Sequence, residues 1–98
     1  MDYLKSFNDY CDHIMGLYVI PIPASEMGQK KRIQQFNNDC DYLKIKFNDK
    51  FKAQIDIIEL KALKEKHPLT PVDIDQMKEI SKDKIKIFIQ TSQNAFNK

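Results

Sequence analysis

Four side chains of this sequence have the chemistry of zinc ligands, and they are Cys11, His13, Cys40 and His67. Two thiolates and two imidazoles can fill a tetrahedral zinc site, but such sites use closely spaced Cys-x-x-Cys and His-x-x-x-His pairs, which are missing here. On a helix, Cys11 and His13 would point about 160° apart. We therefore predict no metal and no cofactor, with two buried free thiols, a solvent-exposed His13 and His67 near a helix C-terminus.

A catalytic cysteine needs a base within hydrogen-bond reach and a cause for a low thiol pKa. Neither Cys11 nor Cys40 is flanked by an arginine or a glycine-rich turn, and a dyad with His67 would require tertiary contact. Carboxylates alternate with lysines at helical spacing, as Glu79 does with Lys82, which is typical of a solvated face. The sequence has no GxxxxGK phosphate loop. These observations predict that the protein is not an enzyme.

Basic residues concentrate in the middle of the chain, where they could contact phosphate. Residues 30–66 carry a net charge of +4, against −3 for residues 1–29. Specific base recognition relies on arginine, and the chain has only one. Binding to nucleic acid is therefore kept as the alternative function. Its candidate contacts, which would otherwise form a basic rim around a protein interface, are Lys30, Lys31, Arg32, Lys44, Lys46, Lys50 and Lys52.

Two proline pairs, Pro21/Pro23 and Pro68/Pro71, divide the chain into three segments. The first segment predicts a helix over about residues 2–17, with one apolar side. Residues 18–23 should be extended, because proline fixes its own φ and restricts the residue before it. We interpret this stretch as a buried connector, with docking into a partner's groove as the alternative. The apolar side of the helix consists of Leu4, Phe7, Cys11, Ile14, Met15 and Tyr18.

The third segment gives the clearest helix signal, over about residues 71–96. Thr70 is a good N-cap, Pro71 suits the first helical position, and the Asp73 carboxylate lies where the helix dipole favours it. A single apolar stripe then follows at spacings of three and four. Its members are Ile74, Met77, Ser81, Ile85, Phe88, Ser92 and Phe96.

The second segment permits two interpretations. As one long helix or a helix pair over about 25–66, capped by Ser25, it has a sustained apolar stripe, and a bend or break is expected at Asn48-Asp49. As a β-hairpin at about 42–58, it has apolar residues at odd positions and lysines mostly at even ones. A lone hairpin needs a sheet partner, which favours the helix. The stripe consists of Ile33, Phe36, Cys40, Leu43, Phe47, Phe51, Ile55, Ile58 and Ala62.

The stripes predict a single all-α domain, a helical hairpin of two long amphipathic helices plus an N-terminal helix. The alternative is an α+β fold with a β-hairpin at about 42–58. In the helical fold, four apolar residues lie on the back of the second segment, and such surface commonly marks an interface. We therefore predict a non-enzymatic protein–protein interaction module that binds a protein partner or forms a homodimer. The predicted interaction surface is Tyr42, Ile45, Leu60 and Leu63.

Composition restricts the remaining classes. Leu, Ile, Val and Phe make up 27 of the 98 residues, which is enough for a globular core. The longest apolar run, 17–23, is far shorter than the ~18 residues of a membrane helix. The acidic N-terminal stretch lacks the basic start of a signal peptide. Two cysteines are too few for a disulfide framework. We expect a cytoplasmic protein with no membrane partner and no small-molecule substrate.

Overall fold

The computed structural model describes residues 2–98, and it contains three helices. In chain order these are α1 (Tyr3–Gly16), α2 (Gln29–Lys64) and α3 (Pro71–Phe96). The prediction of an all-α fold is confirmed. The β-hairpin alternative is wrong, because residues 42–58 lie inside α2 and no strand occurs among residues 2–98.

The long helix α2 has 36 residues and continues through Asn48 and Asp49 without a break. Phe47 and Phe51 on either side of this pair are buried in the core, while Asn48 and Asp49 face solvent, so packing maintains the helix there. The sequence placed the N-cap at Ser25, but the helix begins later, after Gly28. Residues 24–27 form a separate turn instead, closed by a backbone hydrogen bond between residues 27 and 24.

The start of α3 has the local structure that its sequence predicts. The backbone N–H of Asp73 donates to the Thr70 hydroxyl at 3.2 Å, and the Thr70 N–H donates to the Asp73 carboxylate at 3.1 Å. This reciprocal capping box satisfies two backbone donors that a helix start otherwise leaves unpaired. At the other end of the connection, Lys66 has φ 61°, the left-handed conformation common just after a helix C-terminus.

The helices α2 and α3 pack antiparallel along most of their length. Near one end the rings of Phe36 and Phe96 stack at 4.5 Å, and near the middle Phe47 meets Phe88 edge-on at 5.3 Å. The molecule measures 57 × 20 × 18 Å, and its long dimension matches the ~54 Å of α2. The core of the molecule is therefore long and thin.

The short helix α1 covers only one half of this hairpin. Its first residue, Tyr3, donates a hydrogen bond to Glu65 at the end of α2, and its Asp12 forms a 2.6 Å salt bridge with Lys84 of α3. Phe7 packs edge-on against Phe51, with ring centroids 6.2 Å apart. These contacts make α1 antiparallel to α2 and leave the other half of the hairpin to be covered by something else.

The extended linker after α1 provides that cover. Tyr18 packs edge-on against Phe47 at 5.2 Å, and Ile20 is only 4% exposed, whereas the intervening Val19 is 82% exposed. This alternation is that of an extended chain with one face on a core. The linker therefore acts as a third layer on the same side of the hairpin as α1, and the opposite side of the α2–α3 seam stays open.

Candidate interaction surfaces

The four predicted interface residues lie on the face of α2 turned away from the core. Tyr42 is 65% exposed, Ile45 63%, Leu60 60% and Leu63 61%. They form two pairs, Tyr42 with Ile45 and Leu60 with Leu63, and the members of each pair are three residues apart. The midpoints of the two pairs are about 27 Å apart along the helix axis. The exposed residues between them on this face are mainly charged. We call this surface the back face of α2, defined by Tyr42, Ile45, Asp49, Lys52, Asp56, Leu60 and Leu63.

Several of the seven predicted basic residues take part in contacts within the fold. The ammonium groups of Lys46 and Lys50 lie 4.8 and 4.9 Å from the centre of the Tyr18 ring, where cation–π attraction holds them. Lys50 also donates a hydrogen bond to the Tyr18 hydroxyl, and this lowers the pKa of Tyr18. Both lysines are half-buried and fasten the linker to α2.

The single arginine, Arg32, likewise contacts an aromatic ring of the fold. The Arg32 guanidinium lies 5.2 Å from the centre of the Phe96 ring, and its Nε donates to the Pro23 carbonyl at 3.5 Å. Lys30 and Lys31 are exposed in the first turn of α2. The seven basic residues therefore point in several directions around α2, so they do not form one phosphate-binding surface. This arrangement gives no support to the nucleic-acid alternative.

The open side of the α2–α3 seam forms a surface that the sequence did not indicate. It is a groove whose central cavity has a volume of about 470 Å³. Smaller depressions extend it at both ends, since they share lining residues with the central cavity. We call it the lysine-rimmed groove. The central cavity is lined by Lys44, Asn48, Lys82, Ile85, Lys86, Ile89, Gln90 and Gln93.

The sequence predicted a solvated position for Lys82, and it grouped Lys44 with basic residues of its own helix. One wall of the groove could have been found from the sequence, because Lys78, Lys82 and Lys86 recur every four residues and so lie along one side of α3. The sequence did not indicate that this side of α3 lies beside the Lys44 side of α2. That proximity comes from the packing of two helices distant in sequence.

The two thiols lie in the core, as expected. Cys11 is fully buried and Cys40 is 6% exposed, and both are free. Burial raises the pKa of Cys11 to about 11 and also raises the pKa of Cys40. Thiols in such surroundings stay protonated at neutral pH and are poor nucleophiles. Among residues 2–98, no group of three or more His, Cys, Asp and Glu side chains is arranged to hold a metal ion.

We expect both thiols to react slowly with iodoacetamide in the native protein. At pH 8, a pKa of about 11 in place of 9.0 leaves Cys11 about a hundredfold less thiolate, and burial slows its reaction further. Mass spectrometry of labelled peptides, with and without guanidinium, measures each rate separately. If either cysteine of the native protein were labelled at the rate of the unfolded chain, its buried position would be contradicted and it would become a candidate nucleophile.

The fold defines an all-α protein with a three-helix core, an open groove and an exposed apolar helix face. Comparison of the chain with protein-family models, curated proteins and solved structures gave no match. Within the described part of the chain, each helix is either too short or too polar to cross a bilayer. The surfaces of the chain are therefore the features that bear on its function.

Proposed function

We propose that this protein is a non-enzymatic helical interaction module that buries the back face of α2 against another protein surface. The observation that carries the proposal is the exposure of Tyr42, Ile45, Leu60 and Leu63, each at least 60% exposed. Their helix already has a complete buried stripe on its other side, so the fold does not need them. Exposed apolar side chains that recur along one helix face are typical of an interface.

The spacing of these residues favours a second copy of the chain as the partner. If two α2 helices lie antiparallel about a two-fold axis, Tyr42 and Ile45 of one copy meet Leu60 and Leu63 of the other. Each surface is then used once by each copy, which is the arrangement of a closed symmetric dimer. Two apolar contacts of the same kind form at the two ends of the interface.

The charged residues between the apolar pairs limit the strength of this contact. In the antiparallel register that joins the apolar pairs, Asp49 of one copy lies level with Asp56 of the other, and the two Lys52 side chains lie about one residue apart near the two-fold axis. All three side chains are exposed in the single chain, so they are available for such contacts. Like charges therefore face one another at the centre of the interface, so we expect the dimer to be weak and to tighten as salt is added.

Light scattering on a sizing column, over a range of micromolar concentrations, tests the proposal. We expect a dimer that dissociates on dilution. The double variant Ile45→Glu/Leu63→Glu should be monomeric with unchanged helicity, because each interface end would bury a charge without a partner. A matched control is Ile87→Glu on α3, where the native side chain is 61% exposed and lies outside the back face.

Two outcomes would contradict the proposal. A native chain that stays monomeric at every concentration would rule out the second copy as the partner. A double variant that still associates with native helicity would show that the interface lies elsewhere. The Ile87→Glu variant should associate as the native chain does, since it introduces the same charged side chain at an exposed apolar position outside the back face.

A further inference from the structure

We propose that the lysine-rimmed groove binds an acidic amphipathic helix of another protein. This inference rests on the chain being an interaction module, but it concerns a different partner, and the central cavity shares no residue with the back face of α2. Lys52 and Asp56 of the back face line only the depression at one end of the groove. The groove lies between α2 and α3, on the side of their seam that neither α1 nor the linker covers. A helix placed there would complete a bundle that is closed on one side only.

The floor of the groove is suited to apolar side chains. Ile85 is buried at 4% exposure and Phe36 at 2%, and Ile89, which also lines the central cavity, is half-buried. Leucine-sized side chains laid on this floor would remove apolar surface from water, which stabilises binding. From Gln29 to Asn48, the α2 residues that line the carboxylate-free part of the groove span about 28 Å, so this part can hold a helix of about 20 residues.

The rim of the groove selects the charge of its occupant. Lysines of both helices line the central cavity, namely Lys44 from α2 and Lys82 and Lys86 from α3, and no carboxylate lines it. In the described part of the chain, salt bridges engage Lys82 and Lys84 but neither Lys44 nor Lys86. Glutamates on both flanks of an apolar stripe would therefore meet unneutralised ammonium groups on each wall.

The same features favour a helix over a nucleic acid. An isoleucine floor offers nothing to a phosphate, whereas an amphipathic helix buries its apolar stripe on such a floor. Arg32, the residue type best suited to phosphate and base contacts, is held against Phe96 outside the central cavity.

Fluorescence anisotropy with a designed peptide tests the proposal. The probe is a fluorescein-labelled peptide of about 20 residues, or about 30 Å of helix, with leucines at spacings of three and four and glutamates beside them. A second peptide carries lysine at every glutamate position, and a labelled DNA duplex is the third probe. We expect the native chain to bind the acidic peptide at low ionic strength, less tightly as salt is added, and to ignore the lysine peptide.

A pair of matched variants locates the binding site. In Lys44→Glu/Lys86→Glu the two walls of the groove are reversed in charge, and we expect at least a tenfold loss of affinity for the acidic peptide. Lys30→Glu/Lys31→Glu changes the net charge equally at exposed positions outside the groove, and we expect less than a twofold change. Circular dichroism checks that both variants keep native helicity.

Other results would overturn the proposal. Failure of the native chain to bind the acidic peptide would rule out this class of partner, and equal loss in both variants would show that binding is not in the groove. Binding of the duplex in place of the peptide, lost in Lys44→Glu/Lys86→Glu, would make the groove a nucleic-acid site. The same titration with Ile45→Glu/Leu63→Glu separates these results from dimer formation, which is measured independently by molar mass.

Discussion

Replacing Phe47 by alanine is expected to lower the free energy of unfolding by about 3–5 kcal/mol. The ring is fully buried, and it touches rings from three parts of the fold. Tyr18 of the linker lies 5.2 Å away, Phe88 of α3 5.3 Å and Phe51 of α2 6.0 Å, measured between ring centroids. Its removal leaves a cavity where the linker and both long helices meet.

A loss of this size is large for a chain of 98 residues, since small domains are stable by only about 5–15 kcal/mol. Urea unfolding followed by far-UV circular dichroism measures it. The control is Ile57→Ala, which truncates a side chain on the same helix that is 57% exposed, and it should cost less than about 1 kcal/mol. Similar losses in the two variants would contradict the position of Phe47 at the centre of the core.

Replacing Ile20 by aspartate should lower the free energy of unfolding by more than about 3 kcal/mol. Ile20 is 4% exposed, so the variant loses the burial of an isoleucine and must either bury a carboxylate or release the linker. The matched control is Val19→Asp on the adjacent residue, which is 82% exposed and should change the stability by no more than about 0.5 kcal/mol.

This pair tests whether the linker is a packed layer of the fold or only a connection. Both variants place the same charge in the same extended segment, so they differ mainly in which way the side chain faces. Urea unfolding of the two proteins gives the comparison directly. Equal stabilities would mean that residues 18–23 do not pack on the α2–α3 hairpin, and the half of the hairpin beyond α1 would then be covered on neither side.

The stretch 42–58 shows why a local pattern can leave two folds open. Its apolar residues fit an alternating period and a helical period equally well over so short a window, because Leu43, Phe47 and Phe51 belong to both sets. The structure is helical because α3 presents a matching stripe. Phe36 meets Phe96, and Phe47 meets Phe88, at ring distances of 4.5 and 5.3 Å. A hairpin would have left these α3 residues without a partner surface.

The surfaces that bear on function were predicted less completely than the fold. Exposure of Tyr42, Ile45, Leu60 and Leu63 follows from the helical period once the core stripe is known. The sequence analysis predicted them as one patch, whereas on the helix they form two pairs with Asp49, Lys52 and Asp56 between them. The lysine-rimmed groove was not predicted, because its walls come from helices that are distant in sequence.

The sequence by itself determined the helices and their buried stripes. A period of 3.6 residues assigns each side chain to a face, and local signals such as Thr70 with Asp73 mark where a helix begins. Only the tertiary structure decided what lies on each flank of the α2 stripe. Lys46 and Lys50 lie against the linker through Tyr18, while Lys44 lines the open groove. The physical reason is that the helical period determines the direction in which each side chain points from its own helix axis. Whether another segment covers that direction depends on contacts between parts of the chain that are distant in sequence.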